Sequence, residues 1–251
     1  MKENLQCSIC NAPCSLLDVV DFNKSCEEDR GKFLTLSGIP VYYAICNHCG
    51  FCFAPEIAAW NIDEFAAKIY NDDYALIDPD CIENRPKAIA ANLMAMFGER
   101  AQHFKHLDYG GGSGLLSNTL NKSNWQSTSY DPFFDKHIEI DQLGKFDLIT
   151  ATEVFEHVPS PRQLMTNLRS LLSPNGVIWF STLLSDGYLH ENERLSWWYA
   201  SPRNGHISLF SRKSLAILAH INQFNLYSFS ANSHAMFTNV PSWMAHLIHV
   251  G

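Results

Sequence analysis

Two cysteine pairs near the start of the chain have the spacing of metal ligands. Cys7-Ser8-Ile9-Cys10 and Cys46-Asn47-His48-Cys49 are C-x-x-C turns separated by 35 residues. Each turn aims two thiolates at one point, and two turns complete the tetrahedral four-sulfur shell of structural zinc. The register is open, because Cys14 and Cys52 could each replace a neighbour, and Cys49 with Cys52 repeats the spacing. The symmetrical quartet Cys7, Cys10, Cys46 and Cys49 is the preferred set, with His48 exposed inside its turn. A shell filled by four sulfurs has no open position, so its role is structural. The competing reading is reduced, unliganded thiols in a small apolar lobe.

A second stretch, His106-Leu107-Asp108-Tyr109-Gly110-Gly111-Gly112-Ser113-Gly114-Leu115-Leu116, runs from a strand through glycines into a helix. Glycine permits the sharp turn and lets a ligand approach the backbone with no Cβ in the way. The dinucleotide fingerprint G-x-G-x-x-G needs a third glycine where Leu115 stands, and the phosphate loop needs a lysine that is missing. What remains is an acidic residue followed by G-x-G-x-G: Asp108, Gly110, Gly112 and Gly114. Asp131 lies 23 residues beyond Asp108, before Pro132. In a βαβ unit that spacing puts a carboxylate at the tip of the adjacent strand, where it can accept hydrogen bonds from both hydroxyls of a ribose. By itself Asp131 also reads as a turn cap.

The elements that must position these residues follow from the pattern. Strand-like runs at 39–45, 103–109, 127–130, 146–151, 177–182 and 225–231 are interleaved with helical runs at about 86–97, 115–120, 161–172 and 211–222. Gly98 stops the first helix and Ser211 caps the last. Strands alternating with helices imply a parallel α/β sheet covered on both faces. The expected division is a zinc-ribbon-like module at 1–54, a helical linker and lid at 55–100, and an α/β domain at 101–251. Tyr70-Asn71-Asp72-Asp73-Tyr74 reads as a lid or as an ordinary capped turn.

Composition narrows the function classes. The 251 residues are 46% hydrophobic and 18% charged, too apolar for a disordered chain. The net charge is −8 and no basic stripe is visible, which argues against a nucleic-acid partner. Residues 1–54 hold four basic and six acidic side chains, so the cysteine module is no RNA grip. No apolar run is long enough to span a membrane. The first 30 residues lack the continuous apolar core of a secretion signal, so the expected compartment is the cytoplasm, where thiols stay reduced.

Two further stretches complete an ordered set: Phe146-Asp147-Leu148-Ile149-Thr150-Ala151-Thr152-Glu153-Val154-Phe155-Glu156-His157, then Leu171-Leu172-Ser173-Pro174-Asn175-Gly176-Val177-Ile178-Trp179-Phe180. With the glycine turn and the acidic second strand, they resemble the class I S-adenosylmethionine-dependent methyltransferases of the type 11/23 kind, over roughly residues 85–230. The cysteine module resembles the zinc-binding domain that precedes some sugar C-methyltransferases, though little beyond the cysteine turns matches. The resemblance implies a Rossmann-like doubly wound sheet with a small N-terminal zinc ribbon. It implies S-adenosylmethionine along Asp108, Gly110, Gly111, Gly112 and Gly114, its ribose on Asp131-Pro132, and Thr152 and Glu153 facing donor or acceptor. The segment between Asp131 and Phe146 is short for the usual third strand, which leaves Asp141 a weak candidate beside adenine.

Methyl transfer from a sulfonium is an in-line displacement, so alignment supplies much of the rate. A base is needed only if the acceptor must first lose a proton. His157 is the first candidate, with Glu153 and Glu156 as alternatives; His157 also reads as a packed loop residue and Glu156 as a solvated one. The cluster from Trp197 to Ser208 suits an acceptor with rings or an anionic group, through Tyr199, Arg203 and His206, or else packs the loop on the sheet. The expected substrate is a small molecule, such as a sugar or other secondary metabolite. The rivals are methylation of RNA or protein, and a non-catalytic adaptor that only binds the donor.

Overall fold

The computed structural model describes residues 5–190 and 192–248. Strands are numbered in chain order: β1 Cys14–Asp21, β2 Pro40–Cys46, β3 Cys52–Phe53, β4 Lys105–Tyr109, β5 Gln126–Tyr130, β6 Phe146–Thr152, β7 Leu172–Ser181, β8 Ser208–Leu209, β9 Asn225–Ser228 and β10 Ser233–Phe237. The α-helices are α1 Ile62–Lys68, α2 Tyr74–Ile77, α3 Asn84–Phe97, α4 Leu115–Asn121, α5 Pro161–Leu171 and α6 Arg212–Ile221. They fall into two compact units. The first comprises residues 1–79, 155–164 and 182–221; the second comprises 80–154, 165–181 and 222–251.

The second unit holds a six-stranded sheet in the order β5-β4-β6-β7-β10-β9. Strands β5, β4, β6 and β7 are parallel, and β10 runs antiparallel to both β7 and β9. This is the expected Rossmann-like α/β sheet. Between Asp131 and Phe146 the chain forms only a short 3-10 turn, Ile140–Leu143, so β5 is the sheet edge and the third strand of the usual order is absent among the described residues. The chain leaves β4 toward β5 on one side and resumes at β6 on the other. Such a reversal of strand order opens a crevice at the carboxyl end of the strands, where the glycine turn sits.

An aromatic cluster closes this unit. Phe97 of α3 meets Trp125, Trp179, Trp243 and Phe104 edge-on, at ring separations of 5.6 to 6.2 Å. Gly98 stops α3 with φ +51, as expected from its lack of a Cβ. The sequence reading missed β10: its residues Ser233–Phe237 return beside β9 as a hairpin, and the run expected to reach 231 ends at Ser228.

The first unit holds a four-stranded sheet in the order β1-β2-β3-β8, antiparallel at every described pairing. The strand expected at 39–45 is β2. β1 and β8 were not foreseen, because β1 is largely half-buried and carries no clean alternation, and β8 is two residues long. α6 starts at the foreseen cap: Ser211 Oγ accepts the backbone N–H of Ser214 at 3.0 Å. In α1, Asn61 Oδ1 accepts from Asp63 and Glu64 while Glu64 Oε2 accepts from Asn61, a reciprocal capping box. Among the described residues no helix is long and apolar enough to cross a membrane.

Candidate functional site

The glycine turn belongs to the second unit. β4 delivers Asp108, and the chain then turns through Gly110, Gly112 and Gly114, all with positive φ (+77, +53 and +77). Gly110 and its neighbour Gly111 are crowded by surrounding side chains. A Cβ on Gly110 would lie 2.5 Å from Val154 Cγ2, and one on Gly111 would lie 2.3 Å from Ser129 Oγ and 2.6 Å from Asp108 Oδ2. A Cβ on Gly112 would meet no heavy atom within 4 Å, so the turn opens outward there. A bend bare of side chains and facing open space is what a ligand lying along the backbone requires.

Asp131 stands where the spacing put it, at the end of β5, and it is only 8% exposed. Its Oδ2 accepts the N–H of Gly112 at 3.0 Å and its Oδ1 accepts that of Phe133 at 2.8 Å. The carboxylate thus splints the glycine turn, and each oxygen keeps a lone pair for a further donor such as a ribose hydroxyl. Thr152 ends β6. Glu153 follows with φ +54, a left-handed conformation that costs a non-glycine residue about 1–2 kcal/mol. Ser181 holds it there, accepting the Glu153 N–H at 2.9 Å and donating to its Oε1 at 2.7 Å. Strain retained by specific partners is common where a side chain is aimed at a site. Asp141 lies exposed in the 140–143 turn.

The first unit assembles a different group. The turn at 155–158 is tied to the 206–208 segment by Ile207 N–H to Glu156 O (2.9 Å) and Ser208 Oγ to Val158 O (2.7 Å). One ligand-capable atom from each of Glu156, His157 and His206 then lies within 4.8 Å of the others. The two imidazole rings are 4.8 Å apart, edge to face. Glu156 is fully buried, not solvated as one sequence reading allowed, and Tyr199 donates to its Oε1 at 2.6 Å. A buried carboxylate needs such a partner, since without one its charge is costly. His206 Nδ1 lies 2.8 Å from the Tyr199 carbonyl. A carbonyl only accepts, so Nδ1 carries the proton and the lone pair of a neutral His206 is on Nε2. Gly205, with φ +87, lets the backbone pass: a Cβ there would sit 3.0 Å from His157 Nδ1 and 3.1 Å from Tyr70 Oη.

Arg203, read as an acceptor contact or as part of a packed loop, is bonded within the first unit. It is 7% exposed, and its guanidinium donates to Ile69 O (3.1 Å) and Asn71 Oδ1 (3.3 Å). Tyr74 Oη donates to Asn204 O at 3.3 Å. The 69–74 segment is therefore fastened to 203–204, which favours the fixed-turn reading of Tyr70–Tyr74.

The cysteines form the third group, also in the first unit. Cys7 Sγ lies 3.7 Å from Cys49 Sγ, and Cys10 Sγ lies 3.4 Å from Cys46 Sγ; all four sulfurs are within 4.8 Å of one another. A disulfide needs about 2.05 Å. A zinc tetrathiolate with bonds of about 2.3 Å has sulfur–sulfur edges of about 3.8 Å, which these separations fit. Both turns close alike: Asn11 N–H donates to Cys7 O at 2.9 Å and Gly50 N–H to Cys46 O at 3.0 Å, and Asn11 and Gly50 have φ of +61 and +72. The hydrogen bond from Cys49 pulls the Cys7 thiol down to about 5, and the same contact pushes Cys49 up. Burial pushes Cys14 up to about 12. Cys14 and Cys52 are outside the quartet, and His48 is exposed.

Residues 81–228 match a sequence profile described as a methyltransferase domain. Ubiquinone biosynthesis O-methyltransferase of Histophilus somni (strain 2336) is 40% identical over 60 residues, covering 24% of this chain and 25% of that protein. The enzyme of the same name from Coxiella burnetii (strain Dugway 5J108-111) is 34% identical over 102 residues, covering 32% and 44%. The matches thus span less than half the length of these relatives. Burkholderia thailandensis 1,6-didemethyltoxoflavin-N1-methyltransferase, solved with 1,6-didemethyltoxoflavin and S-adenosylhomocysteine, aligns with a TM-score of 0.47 at 16% identity, over 74% of this chain and 93% of that one. The profile match covers more than half of the chain and takes in both the glycine turn and the Glu153–His157 segment: the chain belongs to the methyltransferase-domain family.

Proposed function

We propose that the protein is an S-adenosylmethionine-dependent methyltransferase acting on a small-molecule acceptor, with a structural zinc ion in its cysteine quartet. The observation that carries the reading is the glycine turn, sterically barred from side chains at Gly110 and Gly111, open at Gly112 and splinted by Asp131. The backbone from Asp108 to Gly114 would hold the donor, Asp131 would accept from its ribose, and Thr152 and Glu153 would line its exit. The donor, when bound, supplies an electrophilic methyl group on a good leaving group.

The protein's own residues then have two tasks. The turn and Asp131 fix the donor in one orientation, which is where the rate advantage of an in-line displacement arises. The group of Glu156, His157, His206 and Tyr199 moves a proton. His157 or the Nε2 of His206 takes it from the acceptor, and buried Glu156, held by Tyr199, stabilises the imidazolium that results. Glu153 is the other carboxylate placed for this work. The name of the sequence relatives, ubiquinone biosynthesis O-methyltransferase, and the net charge of −8 favour a small molecule over RNA.

The experiment is S-adenosylhomocysteine release from the full chain offered pools of small metabolites, RNA or protein. Product with the metabolite pool alone is the expected result. Binding of donor with no release from any pool points to an adaptor and refutes the enzyme. Glu156→Gln is expected to lower turnover about 10²- to 10⁴-fold, with calorimetric affinity for the donor unchanged. Equal turnover would remove the cluster from the chemistry.

A further inference from the structure

The chain leaves β6 through a backbone conformation that a glutamate rarely adopts. Glu153 has φ +54, in the left-handed region where a Cβ crowds the following carbonyl oxygen. Glycine enters that region freely, and any other residue there needs partners. Ser181 supplies two of them. It is the last residue of β7 and stands beside Thr152 in the parallel pairing of β6 with β7. Its Oγ accepts the Glu153 N–H at 2.9 Å and donates to Glu153 Oε1 at 2.7 Å. A backbone N–H only donates, so the hydroxyl receives it on a lone pair and spends its single proton on the carboxylate. One hydroxyl thus binds both the backbone and the side chain of the same strained residue.

The next residue reaches the glycine turn. Val154 is buried, and its Cγ2 lies 2.5 Å from where a Cβ on Gly110 would stand. The valine side chain therefore packs directly on Gly110, the first positive-φ residue of that turn. A β-branched side chain has little freedom at χ1, so the position of its methyl groups follows its backbone. That backbone continues from Glu153. Ser181, Glu153, Val154 and Gly110 all belong to the second unit, and each is in contact with the next.

We propose that Ser181 is a positioning residue for the donor site: its hydroxyl holds Glu153 in the left-handed conformation and so seats Val154 against Gly110. Without the hydroxyl, Glu153 is free to return to negative φ, which turns the following peptide and lifts Val154 away from the glycine turn. This role rests on the donor reading of that turn made above, whereas the conformation of Glu153 is measurable with no donor present.

The test is amide and methyl NMR of the donor-free full chain, alongside calorimetry with S-adenosylmethionine. In Ser181→Ala the Glu153 amide should exchange with solvent about tenfold faster, the worth of one lost hydrogen bond. The Val154 methyl and Gly110 amide signals should shift with it, and donor affinity should fall about 5- to 10-fold. Ser181→Thr, which keeps the hydroxyl, should restore all three. Glycine at position 153 needs no partner to hold a positive φ, so adding Ser181→Ala to Glu153→Gly should lower affinity by less than about twofold further. Unmoved Val154 and Gly110 signals, unchanged affinity in Ser181→Ala, or additive losses in the double variant each overturn the proposal. If the signals move but even the wild-type chain binds no donor, the donor reading falls and the positioning role with it, leaving the Ser181–Glu153 contact as architecture.

Discussion

Arginine in place of Gly112 is expected to abolish S-adenosylmethionine binding while leaving the chain folded. The reason is the asymmetry of the glycine turn. Gly110 and Gly111 face the protein, where an added Cβ strikes Val154, Ser129 or Asp108. Gly112 faces outward with nothing within 4 Å of an added Cβ, so a long side chain there projects into the space assigned to the donor. The left-handed φ of +53 costs the arginine about 1–2 kcal/mol, a tolerable fraction of the stability of a domain. Calorimetry should show affinity lowered at least about 100-fold, with thermal melting only a few degrees lower. Asp131→Ala should cost about 10- to 100-fold, since it removes charged hydrogen bonds to the ribose and also releases the Gly112 N–H. Gly111→Ala should instead lower thermal stability, because its Cβ must displace the buried Ser129 hydroxyl and Asp108 carboxyl. Wild-type affinity in both Gly112→Arg and Asp131→Ala would refute the donor site.

The second large effect concerns the metal. Stripping zinc with a strong chelator, or replacing Cys46 by serine, is expected to disrupt the first unit and abolish turnover, yet leave donor affinity within a few-fold of the starting value. A structural zinc tetrathiolate contributes about 10–16 kcal/mol of apparent binding free energy, which is folding free energy for the segment it closes. The consequences run along a traceable path within that unit. Arg162 donates to Ile9 O, Ser211 to Cys49 O and Lys213 to His48 O, so the cysteine turns anchor the segments that follow in sequence much later. Tyr43 of β2 donates to His206 O at 2.7 Å, and β3 pairs with β8 immediately after His206. Loss of the proposed zinc is therefore expected to loosen the Glu156, His157 and His206 group. The glycine turn and Asp131 belong to the other unit. Metal analysis should give a single zinc per chain, lost in Cys46→Ser and kept in Cys14→Ser. Full turnover in metal-free protein would show that the quartet has no structural role.

Much of this was legible in the residues because the chemistry is local. A C-x-x-C turn brings its own two sulfurs together, and a strand followed by glycines and a helix forms its own bend. Asp131 was placed by counting, since a βαβ unit of this size returns the chain to the neighbouring strand tip. Even the missing third strand was foreshadowed by the short interval before Phe146. The tertiary structure decided everything that depends on which distant segments meet. Glu156 looked as fit for solvent as for a site. The approach of Tyr199, 43 residues away, gives its buried carboxylate a hydrogen-bond donor. Arg203 read equally as an anion contact or as loop packing, and only the fold sets its guanidinium on the Ile69 carbonyl and the Asn71 side-chain oxygen. His106 gave no sign at all, because its ring meets Ser127 of β5 and Thr150 of β6 only once the sheet is formed. Spacing along a chain sets what neighbours in sequence can do together, whereas the partner of a buried polar group is chosen by the packing that excludes water from it.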